Sequence, residues 1–253
     1  MQKFIFSPDK HVGWERDGKS TRPLHDAKAI GALMAFARDF KPDLWIEGGD
    51  NLDCGAVSHW LKDRHLSAKD LNLQRDLDAY DALVLQPLKQ LKSLKRKVWM
   101  KGNHEDWLDQ LAEREPGLAD LLQVDTLLDL DDWDIVERGG VVSAGKLHFI
   151  HGDTLPSGKN MAERAVINYE HSIRFGHFHT YQVASKYGQL DGDVKTGVSV
   201  PGLCRRNPNY LKNRPNQWSQ GFCWGYIHPD GTFNDYVAII TKGRFTIHGQ
   251  TYT

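Results

Sequence analysis

Three apolar, strand-like runs, residues 3–7, 43–47 and 97–100, pass within a few residues into turns that carry hard donors. These turns are Asp9-Lys10-His11, Gly48-Gly49-Asp50-Asn51 and Gly102-Asn103-His104-Glu105. The unit recurs as His151-Gly152-Asp153 after residues 147–150 and as Gly176-His177-Phe178-His179 after residues 172–175. The donors are Asp, Asn and His without Cys, a set that suits divalent metals needing both oxygen and nitrogen ligands. Read together, the five segments describe a two-metal hydrolase site.

The stretches between them alternate in period. Residues 25–40 place Ile30, Leu33, Met34, Ala37 and Phe40 at helical spacing before Pro42, and residues 67–94 read as mostly helical with a kink or break at Pro87. Residues 105–134 form a Leu-rich, acidic helical stretch broken at Pro116-Gly117, followed by a hairpin (141–143 and 147–150) and a helix near 160–170. After His179 the pattern turns to strands, about 194–200, 222–228 and 236–241. Strands alternating with helices and then running on as strands predict an α/β layered fold with a mixed sheet or paired sheets. We expect one domain over 1–253, with helical insertions at about 54–95 and 105–138 and C-terminal strands with a basic loop at about 194–253.

The whole-chain charge of -1 points to neither nucleic acid nor membrane, but its distribution is uneven. Residues 105–137 carry twelve acidic side chains against one basic one, Arg114, whereas residues 194–229 carry five basic and no acidic ones. Cys54, Cys204 and Cys223 are widely spaced without a C-x-x-C pair, so neither a disulfide framework nor a thiolate zinc site is indicated. No apolar run approaches the ~18 residues of a membrane span, and the first residues enter a strand pattern directly. The expected setting is a reducing cytoplasm.

Two divalent ions ~3.5–4 Å apart can clamp a phosphate and lower the pKa of a bound water towards neutrality. Such a pair needs a bridging carboxylate, and Asp50, after a strand and two glycines, is the natural bridge. In order and type the motifs resemble those of the calcineurin-like metallophosphoesterase superfamily over Asp9–His179, about two-thirds of the chain, with single-domain bacterial and phage-type members nearest in pattern. The resemblance implies a four-layer α-β-β-α sandwich with helical insertions. It also implies one metal held by Asp9, His11, Asp50 and His179 and another by Asp50, Asn103, His151 and His177. Manganese is the first expectation, with iron, zinc, nickel, cobalt or magnesium also compatible with such ligands. A hydroxide bridging the metals would be the nucleophile, His104 the proton donor to the leaving oxygen, and Asp53 the acid that orients His104. Cys54 stands where the protein-phosphatase branch has arginine, which weakens a protein-phosphatase role.

The implied activity is phosphoester hydrolysis, with a nucleotide or nucleic-acid phosphodiester (DNA or RNA) as the expected substrate and no membrane partner. The alternatives are a phosphomonoesterase on a small metabolite or phosphoprotein, and a non-catalytic module that binds nucleic acid or protein. Arg205, Arg206, Tyr210 and Arg214, with Lys212 and Trp218, could grip phosphate and stack a base, and His59 is a candidate to line the pocket. Asp153 is expected to support His151 or its turn, and Glu105 to serve in a turn or at a helix start.

Overall fold

The structure, a computed structural model, describes residues 1–61, 65–156, 158–189 and 192–253. Three residues of the first insertion, 62–64, lie outside that description.

In chain order, β1 (Gln2–Ser7) leads into a small hairpin, β2 (Trp14–Asp17) and β3 (Ser20–Pro23), and then into helix α1 (Ala27–Phe40). Asp26 caps α1 by accepting the backbone N–H groups of Lys28 and Ala29. Lys41, in the left-handed conformation, ends the helix before Pro42. Its buried stripe includes Ile30, Leu33, Met34 and Phe36, each stabilising by roughly 1.5–3 kcal/mol on burial.

Strand β4 (Leu44–Gly48) follows, then helices α2 (His65–Ala68) and α3 (Leu73–Tyr80), a π-helical turn at Asp81–Leu85, and α4 (Gln86–Lys89). The predicted break at Pro87 is absorbed there. The Gln86 N–H reaches back to the Asp81 carbonyl in the wider π pattern, and the helix runs on through a residue that cannot donate.

Strand β5 (Arg96–Met100) leads into α5 (Asp106–Arg114), a 3₁₀ turn at Pro116–Leu121 and α6 (Val124–Leu128), so Pro116-Gly117 breaks the acidic segment as expected. Next come β6 (Asp134–Val136), the hairpin β7 (Val142–Ala144) and β8 (Leu147–Ile150), α7 (Met161–Tyr169), β9 (Ser172–Phe175), β10 (Gln182–Tyr187) and β11 (Val194–Ser199). The chain closes with β12 (Gln220–Ile227), β13 (Phe233–Ile240) and the hairpin β14 (Phe245–Ile247) and β15 (Gln250–Tyr252). Strands β6 and β10 and the two small hairpins were not anticipated from periodicity.

Among the described residues the main strands form a six-stranded sheet, β13-β12-β1-β4-β5-β6, and a five-stranded sheet, β10-β11-β9-β8-β7. Strict alternation places the side chains. Phe4 and Phe6, Leu44 and Ile46, and Val98 and Met100 face the second sheet and pack with Val142, Leu147, Phe149 and Val198. The residues between them, Ile5, Trp45 and Trp99, face the opposite way into a core shared with α1, α3 and α5. On the outer face of the second sheet, α7 packs Met161, Ala162 and Ala165 against Ile150, Ile173 and Phe175. The result is the α-β-β-α sandwich.

A buried Arg174 on β9 donates two hydrogen bonds to Asp235 on β13, at 2.5 and 2.6 Å, and so ties one sheet to the other. The three cysteines are free and buried. Among the described residues no helix is long and apolar enough to cross a membrane.

Candidate dinuclear metal centre

The donor turns follow the C-terminal ends of parallel strands: β1, β4 and β5 in one sheet, β8 and β9 in the other. Ligand crevices of α/β sheets form at such strand ends. Because the two sheets are packed face to face, both sets of loops meet at one edge of the sandwich.

Their backbones are unusual. Asp9 (φ 54°), His11 (43°), Asp50 (49°), His177 (65°) and His179 (54°) all lie in the left-handed region, which non-glycine residues seldom occupy. Each such residue costs about 1 kcal/mol or more and persists only where its surroundings over-determine it. Here the Asp9 and His11 N–H groups donate to the carbonyls of Gly49 (3.0 Å) and Asp50 (2.9 Å), and the His177 N–H donates to the Asp9 carboxylate (2.8 Å). Close approach also demands glycine. A Cβ on Gly49 (φ 87°) would sit 2.5 Å from His151 Nδ1, and one on Gly102 would collide with the Asp50 carboxylate.

The side chains converge accordingly. Asp50 Oδ2 lies 3.7 Å from His11 Nε2 and 3.4 Å from His151 Nε2, so one oxygen faces both halves of the cluster. His179 Nε2 is 3.3 Å from His11 Nε2 and 3.4 Å from Asp9 Oδ1; Asn103 Oδ1 is 3.4 Å from His151 Nε2. Donor atoms of Asp9, His11 and Asp50 lie within 4.8 Å of one another, as do those of Asp50, His151 and His177. Asp50 belongs to both groups, which is the geometry of a bridge. His177 Nδ1 is buried without a hydrogen-bond partner, and burial together with His151 pushes its pKa below the usual histidine value. A neutral imidazole with an orphaned nitrogen beside a carboxylate fits a metal ligand. Burial opposes the charge on Asp50, but His151, His104 and His11 outweigh it and hold the carboxyl well below its usual range.

His104 stands at the edge of this cluster. Its Nε2 is 4.0 Å from Asp50 Oδ2, its backbone N–H donates to Asp50 Oδ1 at 2.9 Å, and the Trp107 ring lies against it at 4.1 Å between centroids. Burial disfavours the imidazolium, yet Asp50 and Asp53 raise its pKa above the ordinary histidine value. The contact with Asp53 differs in kind from the expectation. His104 Nδ1 meets the Asp53 backbone carbonyl at 2.7 Å, whereas the Asp53 carboxylate lies 3.5 Å away and sits nearer His11 Nδ1, at 3.3 Å.

Two residues carry more than sequence reasoning assigned them. Glu105, fully enclosed, accepts the backbone N–H groups of Asp50 (3.0 Å), Asn51 (2.7 Å), Leu52 (3.0 Å) and Gly102 (2.8 Å), so it clamps the β4 and β5 turns together. Burial and the neighbouring Asp50 push its carboxyl up to about 7 against the pull of those bonds. Cys204 places Sγ 3.3 Å from His179 Nδ1 and thereby orients the ring from behind. The identity of Glu105 was visible beside His104, but three of its four partners lie more than 50 residues back; for Cys204 no local signal existed. Asp153 does not hold His151, whose Nδ1 meets the Gly48 carbonyl (2.9 Å); it pairs with Arg138 (2.6 Å).

A cavity of about 600 Å³ opens beside His104, lined by Trp14, Trp60, Trp107, Tyr210, Lys212 and Asp53 among others. His59 does not line it; the ring packs instead against two residues that do, 4.5 Å from Trp60 and 5.8 Å from Trp107. Trp218 packs on His179 at 4.0 Å. The basic loop is divided: Tyr210 and Lys212 line this cavity, Arg205 and Arg206 line a different one, and Arg214 lines neither.

The model of the calcineurin-like phosphoesterase family matches residues 21–195, well over half of the chain, and the chain belongs to that family. Its relatives include the Gene 54 protein of Mycobacterium phage L5, 25% identical over 246 residues and covering 91% of this chain and 94% of that protein. The Gene 54 protein of Mycobacterium phage D29 is 24% identical over 248 residues with the same coverage. Among solved structures, a dimetal phosphatase from Danio rerio aligns over 100% of this chain and 98% of its own, at 13% identity and a TM-score of 0.45.

Proposed function

We propose that this phosphoesterase-family chain is a two-metal phosphodiesterase acting on nucleotides or nucleic acid. Asp9, His11, Asp50 and His179 would hold one divalent ion and Asp50, Asn103, His151 and His177 the other, with manganese the first candidate. Bound there, the ions would supply Lewis acidity and a hydroxide nucleophile at neutral pH.

The remaining roles would fall to side chains beside the donor cluster. His104, held by the Asp53 carbonyl and packed against Trp107, keeps Nε2 turned towards the cluster and donates its proton to the leaving oxygen. The Asp53 carboxylate and Asp50 favour the protonated form that this donation requires. Glu105 holds the turn that carries Asp50.

The observation that carries the nucleotide reading is the cavity of about 600 Å³ on the His104 side. A proton donor faces the leaving group, so the leaving group occupies a space of nucleoside size walled by Trp14, Trp60, Trp107 and Tyr210, against which a base stacks. Three buried, unpaired cysteines accord with a cytoplasmic setting.

The test compares bis-p-nitrophenyl phosphate with p-nitrophenyl phosphate, each with added Mn²⁺, and then thymidine 5′-p-nitrophenyl phosphate with the simple diester. Metal-dependent preference for the diesters, and for the nucleoside diester above the simple one, is the expected result. Faster hydrolysis of the monoester would replace this reading with a phosphomonoesterase.

A further inference from the structure

A second cavity, of about 690 Å³, shares no lining residue with the first and none with the donor cluster. Five cations line it, Arg22, Lys28, Arg205, Arg206 and Lys242, with one carboxylate, Asp26. That carboxylate is already committed. One oxygen caps α1 and the other accepts the Gln220 side-chain amide at 3.0 Å. Arg22 is also engaged, with Glu15 and with Asn207 and Asn209. The other four cations are exposed at their side chains, and among the described residues none makes an ion pair or side-chain hydrogen bond. Helix α1 opens at this cavity with its N-terminus already capped by Asp26, so the excess positive charge comes from the side chains. Four exposed cations gathered around a single carboxylate leave the concavity with a net positive charge that concentrates anions.

The cavity is closely coupled to the catalytic edge. The N–H groups of Leu203 and Cys204 donate to the Asp9 carbonyl, at 2.8 and 3.1 Å, Cys204 Sγ contacts His179, and Arg205 follows as the next residue. Consecutive Cα atoms are about 3.8 Å apart, so the first cation stands one residue from the chain that wraps the donor cluster. From Arg205 the same loop continues to Tyr210 and Lys212 in the aromatic cavity. One loop therefore joins a cationic space to an aromatic one, each within the size range of a small-ligand site.

We infer that the cationic cavity holds a second, non-scissile phosphate of an oligonucleotide while the scissile phosphate lies at the donor cluster. The inference rests on the phosphodiesterase reading above and narrows it from mononucleotides to strands. A nucleoside monophosphate, or any small ligand with a single phosphate, has nothing to place in the second cavity.

The test uses the double variant Lys28→Gln/Lys242→Gln, which alters two exposed side chains that line only this cavity. Binding of dye-labelled single-stranded decathymidylate, with and without a 5′-phosphate, is followed by fluorescence anisotropy at several salt concentrations. We expect about tenfold weaker binding and a salt slope smaller by about 1.4, from two lost contacts at roughly 0.7 each for a single strand. A loss confined to the phosphorylated probe assigns a terminal phosphate to the cavity, and an equal loss with both probes assigns an internal one; either supports the inference. Unchanged affinity and salt slope would overturn it. Turnover of bis-p-nitrophenyl phosphate with Mn²⁺ is measured in parallel. Its absence from the parent protein alongside a normal loss of strand binding in the variant would sink the catalytic reading and leave the cavity standing.

Discussion

Glu105→Gln removes one charge and changes one atom, yet it should be among the more damaging substitutions in this chain. Each carboxylate oxygen accepts two backbone N–H groups: Oε1 takes Asn51 and Leu52, and Oε2 takes Asp50 and Gly102. A glutamine keeps one acceptor. Whichever way its amide is turned, the NH₂ group faces two donors, and two buried N–H groups lose their partners. An unsatisfied buried donor costs about 1–3 kcal/mol, which gives roughly 2–6 kcal/mol for the pair. Removing a buried charge beside Asp50 offsets part of this, as the carboxyl pushed up to about 7 indicates. The net expectation is about 2–4 kcal/mol, measured as the change in urea unfolding free energy of metal-free protein at pH 8, where the parent carboxylate is ionised. Isothermal titration with Mn²⁺ should also show a 10- to 100-fold weaker site, because the bonds hold Asp50 in its left-handed turn. A stability loss under 1 kcal/mol would refute the clamp. Normal metal affinity in a destabilised variant would refute the positioning role.

The remaining predictions concern the cluster and its surroundings. Asp50→Asn and His177→Ala should each abolish metal-dependent turnover and lower the metal content measured by plasma mass spectrometry; full activity of Asp50→Asn would rule out the assigned bridge. His104→Ala should retain metal while slowing substrates with poor leaving groups at least 100-fold, within the range of lost general-acid catalysis, and affecting p-nitrophenolate esters much less; equal loss on both would remove its role as proton donor. Asp76, buried beside Asp53, has its carboxyl pushed up to about 8, first by burial and then by Asp53. The unfolded chain ionises this group near pH 4 and the folded one near 8, so stability falls as pH rises between them, by at most about 6 kcal/mol at 1.36 kcal/mol per unit. Asp76→Asn should therefore raise the melting temperature relative to the parent at pH 8.5 and leave the two nearly level at pH 4; a constant difference across that range would contradict the linkage.

Much of the scaffold was legible because its information is local. Alternation in β1, β4 and β5 and the helical stripe of α1 each arise within one segment, where the backbone period dictates which side chains share a face. The hairpin β7–β8 and strand β9 were likewise readable from turn residues and apolar runs. Strands β6 and β10 were missed because β6 has only three residues and β10 alternates on a mostly exposed face, leaving little apolar contrast to detect.

The functional site divides along the same line. Residue type and order, five donor turns behind five strand-like runs, determined the chemistry and the family, since each motif sits within a few residues of its strand. What only the tertiary structure decided is how distant segments share space. Glu105 clamps a turn more than 50 residues earlier, Cys204 backs His179, and the basic loop divides, sending Tyr210 and Lys212 towards His104 and Arg205 and Arg206 into a separate cationic cavity. Neither spacing nor composition encodes these contacts, because they depend on which loops are brought together when two sheets pack face to face and bury their strand ends at one edge.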